Sequence, residues 1–276
     1  MKTAIVTDST ADLPAALLKQ YAIQVVPAIL IINGQSIEDG HGISRQEFYE
    51  RLPEMQTPPT TATPSNATFE ELYERLFGQG YQQIISIHVG SLLSGIFATA
   101  QMAARTLGER VTVVDSQSLS MGLGFQVLAA AEAAARDFSL ETILEQIESM
   151  RQRVKVVAML DTLKYVHRSG RVSWARARIG SLLNIKPFLE VKDGKVLSLG
   201  QSRTRKKGIN HLINLVRNLG ALERLAVLHT NAEAEARQML AILNPDIDVE
   251  PFYVNVTTIV GTHVGPNGLG FAAVRK

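Results

Sequence analysis

Residues 86–95, SIHVGSLLSG, run from a β-branched stretch through hydroxyls and glycines into a helical pattern. Serine hydroxyls and free backbone N–H groups at the start of a helix suit a negative group. The segment holds no Lys or Arg to balance a phosphate, so a single carboxylate is its natural guest. Ser91 and Ser94 serve equally well as plain N-caps of the following helix. His263 is a second candidate, in GTHVGPNGLG at 261–270, where four glycines, a proline and an asparagine predict a tight loop around one donor and acceptor. An isolated histidine also serves simply to satisfy a loop carbonyl. Thr61 is a third, in TPPTTATPS at 57–65, where three prolines forbid a helix and four threonines supply hydroxyls. That loop is predicted to be extended and polar, and turn chemistry explains its threonines as well.

Common catalytic signatures are missing. There is no GxxxxGK[ST] phosphate loop, Gly122-Leu123-Gly124 lacks the third glycine of a dinucleotide fingerprint, and no GxSxG elbow occurs. The six histidines stand singly, without HExxH spacing or carboxylate clusters, so neither a metal nor a cofactor is predicted.

The elements that must hold these candidates follow from periodicity. Apolar runs predict strands at 4–6, 25–32, 84–89 and 111–114, alternating with helical patterns at 11–21, 66–77, 95–107 and 122–136. This βαβ rhythm predicts a parallel sheet covered by helices. Ser44 and Glu47 form a capping box for a short helix over 44–51. The second half predicts helices at 139–150, 204–219 and 232–243 and strands at 154–160, 224–229, 249–253 and 271–274. A hairpin joins 185–191 to 195–199 about Asp193-Gly194. The expected fold class is α/β in two domains, an N-terminal three-layer parallel-sheet domain over 1–152 and a C-terminal mixed α+β domain over 153–276.

With 276 residues, 46% of them hydrophobic, the chain can bury a sizeable core. The absence of cysteine removes disulfides, thiolate nucleophiles and thiolate metal sites together. The opening MKTAIVTDST meets an Asp too early for a signal sequence, and no apolar run reaches the length of a bilayer span, so a soluble cytoplasmic protein is expected. Charge is uneven. Residues 162–222 carry thirteen Lys and Arg against Glu190 and Asp193, a local +11 in a chain whose total is +2, which leaves −9 for the rest. Such a region suits a nucleic acid, an anionic membrane surface or an acidic partner, and a solvated face explains it as simply.

Read together, several motifs point to a known family. TDSTADLP at 7–14, TTATPS at 60–65, LLSG at 92–95 and VDSQSLSMGLG at 114–124 appear in order, followed by SGRVS at 169–173, LLNIKP at 182–187 and GTHVGP at 261–266. This pattern resembles the DegV family of bacterial fatty-acid-binding proteins over essentially the whole chain. The resemblance implies a long-chain fatty acid, such as palmitate, enclosed between two domains, with its carboxylate held by Thr61, Ser94 and His263 and with Gly95 and Ile96 beside them. It further implies a carrier without catalysis of its own, which presents the acid to a separate fatty acid kinase. Arg171, in SGRVS, and Arg203 are the candidates for docking that partner, and transient membrane contact fits the same role. TTATPS stands where the family more commonly has Thr-Ser-Gln-Pro-Ser, so Ala62 offers no second hydroxyl.

Elementary energetics agree with a lipid ligand. Each buried methylene contributes about 0.8 kcal/mol, so ~14 of them offer on the order of 11 kcal/mol before the costs of association. The head group then needs only orientation and hydrogen bonds. Two other readings stand beside this one. The chain is also compatible with the substrate-binding component of a dihydroxyacetone-kinase-like enzyme, or with nucleic-acid binding through 162–222, although that region interleaves only Tyr165, Trp174 and Phe188 as aromatics.

Overall fold

The computed structural model describes residues 2–172 and 185–276. In chain order the first half contains β1 (Thr3–Asp8), α1 (Ala15–Gln20), β2 (Gln24–Val26), β3 (Ile29–Ile32), β4 (Gln35–Glu38), α2 (Arg45–Arg51), β5 (Thr60–Ala62), α3 (Asn66–Gly78), β6 (Gln83–His88), α4 (Ile96–Ala104), β7 (Val111–Asp115), α5 (Met121–Ala134) and α6 (Leu140–Arg153). The second half contains β8 (Val154–Met159), α7 (Lys164–Ser169), β9 (Lys186–Lys192), β10 (Lys195–Ser202), α8 (Arg205–Arg217), β11 (Leu222–His229), α9 (Glu233–Leu243), β12 (Phe252–Asn255), α10 (Thr258–Val264) and β13 (Leu269–Arg275).

The fold is α/β with an N-terminal parallel sheet and a C-terminal mixed sheet. The first sheet has the order β2-β1-β6-β7, all parallel. The other large sheet has the order β10-β9-β8-β13-β11-β12, antiparallel throughout except for the β11–β12 pair. A small antiparallel sheet, β4-β3-β5, stands apart and places Leu30 opposite Thr61.

Helix α5 is buried on nearly every side, because it lies between the two large sheets and packs against β1, β8 and α6. A helix that is apolar all round needs such a position. Gly122 and Gly124 allow it: a Cβ at Gly122 would lie 2.4 Å from Val156 Cγ2, and one at Gly124 would lie 2.6 Å from the Ala11 carbonyl oxygen. The Gly-Leu-Gly pair is therefore a close-packing device.

Three sequence expectations change. The run 25–32 is two strands, because Pro27 has no N–H to donate and the chain leaves the parallel sheet there to begin the small one. The helix expected over 11–21 starts only at Ala15, since Asp12 adopts a left-handed φ of 57° and Pro14 precedes the first turn. The glycine-rich segment around His263 contains a helix, α10, whose N-terminus is capped by the Thr257 hydroxyl accepting from Ile259 N–H at 3.0 Å. Strand β4 and helix α7 had no sequence expectation at all. The hairpin did: Asp193 and Gly194 carry the positive φ values, 50° and 73°, that its two-residue turn requires. Trp174, Arg176, Arg178 and the opening of LLNIKP lie outside the described residues.

Candidate functional site

A cavity opens between the two large sheets. One wall is made by residues just beyond the carboxyl ends of the parallel strands: Thr10 after β1, Val89, Leu93 and Ser94 after β6, and Leu119 and Ser120 after β7. Open parallel sheets receive ligands there, because the loops leaving the strand ends splay apart. The facing wall comes from Val156 and Ala158 on β8, Leu189 and Val191 on β9, and Ile259, Val260 and Val264 around α10. The lining is mostly aliphatic.

Three remote segments bring candidate polar groups to this lining. Thr61 Oγ1 lies 3.0 Å from His263 Nε2, and Ser94 lines the same cavity. Ser94 Oγ accepts from Ile96 N–H at a long 3.4 Å, which leaves the Ser94 O–H to donate elsewhere. Burial, with the Arg171 charge adding to it, lowers the His263 pKa to about 4. The imidazole is therefore neutral at pH 7 and keeps one donor and one acceptor.

Asp12, which sequence reasoning passed over, holds this arrangement in place. It is buried, and Thr257 N–H and Arg45 Nη1 reach Oδ1 at 2.9 and 3.1 Å while the Ser120 hydroxyl donates to Oδ2 at 2.7 Å. Burial dominates its titration and raises the pKa to about 6, against the lowering influence of Arg45 and Ser120. The Tyr49 hydroxyl sits between the carbonyls of Val256 and Thr257, at 2.8 and 3.1 Å, and Thr258 donates to Asp39 at 2.7 Å. Three residues of the N-terminal half, Asp12, Asp39 and Tyr49, thus grip the start of α10. Ser120, with φ 50° and ψ −143°, is in a strained conformation for a non-glycine residue.

His88 belongs to a buried network behind the site. Its Nδ1 meets Asp8 Oδ2 at 3.1 Å and its Nε2 meets Ser86 Oγ at 2.7 Å, while Tyr73 donates to Ser86 at 2.9 Å. Burial alone would raise the Asp8 pKa, but His88, Thr10 and the Val89 N–H outweigh it and lower the pKa. Ser91 turns outward and bonds Asp115 at 2.6 Å.

The remaining sequence candidates fall in different places. Arg171 lines the cavity together with Thr61 and His263. Gly95 and Ile96 start α4 next to Ser94 but are not part of the wall, and Ile96 is buried in the core. Arg203 is exposed in the turn before α8. Its neighbour Arg205 is committed internally, with Nε 2.7 Å from Glu235 Oε1 and Nη1 2.6 Å from the Asn267 carbonyl. Among the described residues no group of His, Asp and Glu could hold a metal ion, and no helix is long and apolar enough to cross a membrane.

The sequence profile of the family described as "Uncharacterised protein, DegV family" matches residues 2–276. The chain belongs to the DegV family. A DegV domain-containing protein of Listeria monocytogenes is 35% identical over 277 residues, covering 98% of this chain and 97% of the relative. A DegV family protein from Thermus thermophilus, described as binding fatty acid, superposes with a TM-score of 0.91 at 32% identity, with 100% of both chains covered. DegV of Bacillus subtilis, described as a fatty acid binding protein, gives a TM-score of 0.88 at 32% identity, again with 100% of both chains covered. In this DegV chain, sequence reasoning missed Thr10, Ser120 and Asp12, whose types were visible but whose convergence depends on tertiary packing.

Proposed function

We propose that this protein binds one long-chain fatty acid between its two sheets and acts as a carrier that presents the acid to a separate kinase, without catalysis of its own. The observation that supports this reading best is the hydrogen-bonded Thr61–His263 pair in the wall of a mostly aliphatic cavity. The tail supplies affinity through burial. Thr61 and Ser94 donate to the carboxylate, and His263 orients a hydroxyl or shares the proton. A neutral imidazole and two hydroxyls suffice for a head group whose energy is dominated by its tail. The fatty acid binding described for the Thermus and Bacillus relatives supports the ligand class.

In this reading residues 1–152 and 153–276 act as two domains closing on the ligand, and Arg171 and Arg203 face the kinase. The site is expected to work in the cytoplasm, with transient membrane contact during loading. Mass spectrometry of the small molecule released on denaturing the purified protein tests the proposal. A C16 or C18 acid is expected, and added palmitate or oleate should raise the melting temperature. Absence of both results overturns it.

A further inference from the structure

Two hydroxyls of the cavity lining have no part in holding a carboxylate. Thr10 and Ser120 line the mostly aliphatic space and are only 4% and 1% exposed. Both give their protons away from it: Thr10 Oγ1 donates to Asp8 Oδ1, and Ser120 Oγ donates to Asp12 Oδ2 at 2.7 Å. The direction follows from the partners, since an ionised carboxylate only accepts. Each hydroxyl oxygen is left with lone pairs and no proton to offer a ligand. Ser94 has the opposite sense, because it accepts from Ile96 N–H and keeps its proton. Thr230, also in the lining, is used in both directions: it donates to the Gly265 carbonyl at 2.8 Å and accepts from Gly268 N–H at 2.6 Å.

The two acceptors share one anchor. Thr10 lies on the 3-10 turn Ser9–Ala11, and Asp12, which takes the Ser120 proton, ends that turn. The same Asp12 carboxylate accepts from Thr257 N–H at 2.9 Å, at the start of α10. His263 stands further along that helix, about 9 Å away at the usual rise per residue. The cavity therefore offers donors for a head group near one end of α10 and acceptors near the other. A saturated chain has nothing to give those acceptors. An O–H group does, and a buried hydroxyl needs such a partner.

We propose that the cavity takes long-chain acids hydroxylated along the chain, with the ligand O–H donating to the Thr10 or Ser120 oxygen and these two residues setting that specificity. This rests on the reading that an acyl chain fills the cavity with its carboxylate at Thr61, Ser94 and His263.

Titration calorimetry on the full chain compares stearate with two hydroxystearates, one hydroxylated at the eighth carbon and one at the twelfth. At least one of them should bind the wild type as tightly as stearate or tighter. In Thr10→Val/Ser120→Ala the affinity of that isomer relative to stearate, both measured on the same variant, should fall about tenfold, because its hydroxyl is left unpaired. The single variants Thr10→Val and Ser120→Ala supply the same ratio if the double variant does not fold. Weaker binding of both hydroxystearates than of stearate by the wild type overturns the proposal without any variant. A ratio that moves by less than about threefold in the variants overturns it as well. Failure of the wild type to bind any of the three acids overturns the fatty-acid reading instead.

Discussion

Thr61 Oγ1 and His263 Nε2 are 3.0 Å apart although 202 residues separate them in the chain. One sits on a three-residue strand and the other in a seven-residue helix. Neither element is long enough to persist alone. Their contact therefore reports that the small sheet, α10 and the cavity between them have assembled together.

Replacing either hydroxyl should separate binding from folding. Thr61→Val and Ser94→Ala each remove one donor to a charged group, so palmitate affinity should fall about tenfold while the melting temperature stays nearly constant. Titration calorimetry with palmitate reads both variants. Wild-type affinity in both would move the head group elsewhere in the cavity.

Acid should destabilise the protein, and the direction follows from three groups. Burial holds His263 and His229 at about 4 in the folded state, so the unfolded chain takes up two protons below pH 6.5 that the native state refuses. Asp12 acts oppositely: held up to about 6, it protonates in the native state first and offsets one of those protons. Between about pH 6 and 4 the net is one proton bound by the unfolded state, a loss of about 1.4 kcal/mol per pH unit from these groups. Urea midpoints should fall over this range, and His263→Gln should make the fall shallower. A midpoint that rises on acidification would contradict the assignment.

Asp8 is a structural charge. Its carboxylate takes His88, Thr10 and Val89 N–H as partners in a fully buried setting. Asp8→Ala leaves those groups unpaired and should cost about 3–5 kcal/mol, measured by urea unfolding. A loss below about 1 kcal/mol would show that the network relaxes around the gap.

Gly261 is the point where α10 touches α2. A Cβ there would lie 2.3 Å from the Tyr49 hydroxyl, so Gly261→Ala must displace Tyr49 or shift the helix that carries His263. Stability should drop by about 1–3 kcal/mol and palmitate binding should weaken as well. Loss of stability with binding intact would mean that α10 yields locally without moving His263.

What could be read from the sequence divides along the range of the interactions. The β1, β6 and β7 strands, the Ser44 cap and the Asp193-Gly194 turn are set by neighbours within a few residues, and their positions were legible. Pro27 was equally visible, yet the aliphatic run around it suggested one continuous strand. Helix α10 was hidden because glycines and β-branched residues are poor helix formers. It forms through Tyr49, Asp12 and Asp39, which meet it only in three dimensions. For the same reason Thr61, Ser94 and His263 could be named as types suited to a carboxylate, whereas their meeting point depended on the small sheet and α10. Arg205, one cation of the basic 162–222 stretch, is held by Glu235, thirty residues away and beyond any local pattern.

Strand β5 imposes a last constraint, on the length of the chain rather than its composition. Thr61 pairs with Leu30 in a ladder of three residues, with Thr60 and Ala62 on either side. Successive strand residues face opposite ways, so a slip of one position would present a neighbour in place of Thr61. The loop from 57 to 65 therefore resists insertion and deletion even where it accepts substitution. One residue lost before the strand would bring Ala62, which has no hydroxyl, to the place where Thr61 meets His263, whereas one residue gained would bring Thr60 there and shift the rest of the ladder with it.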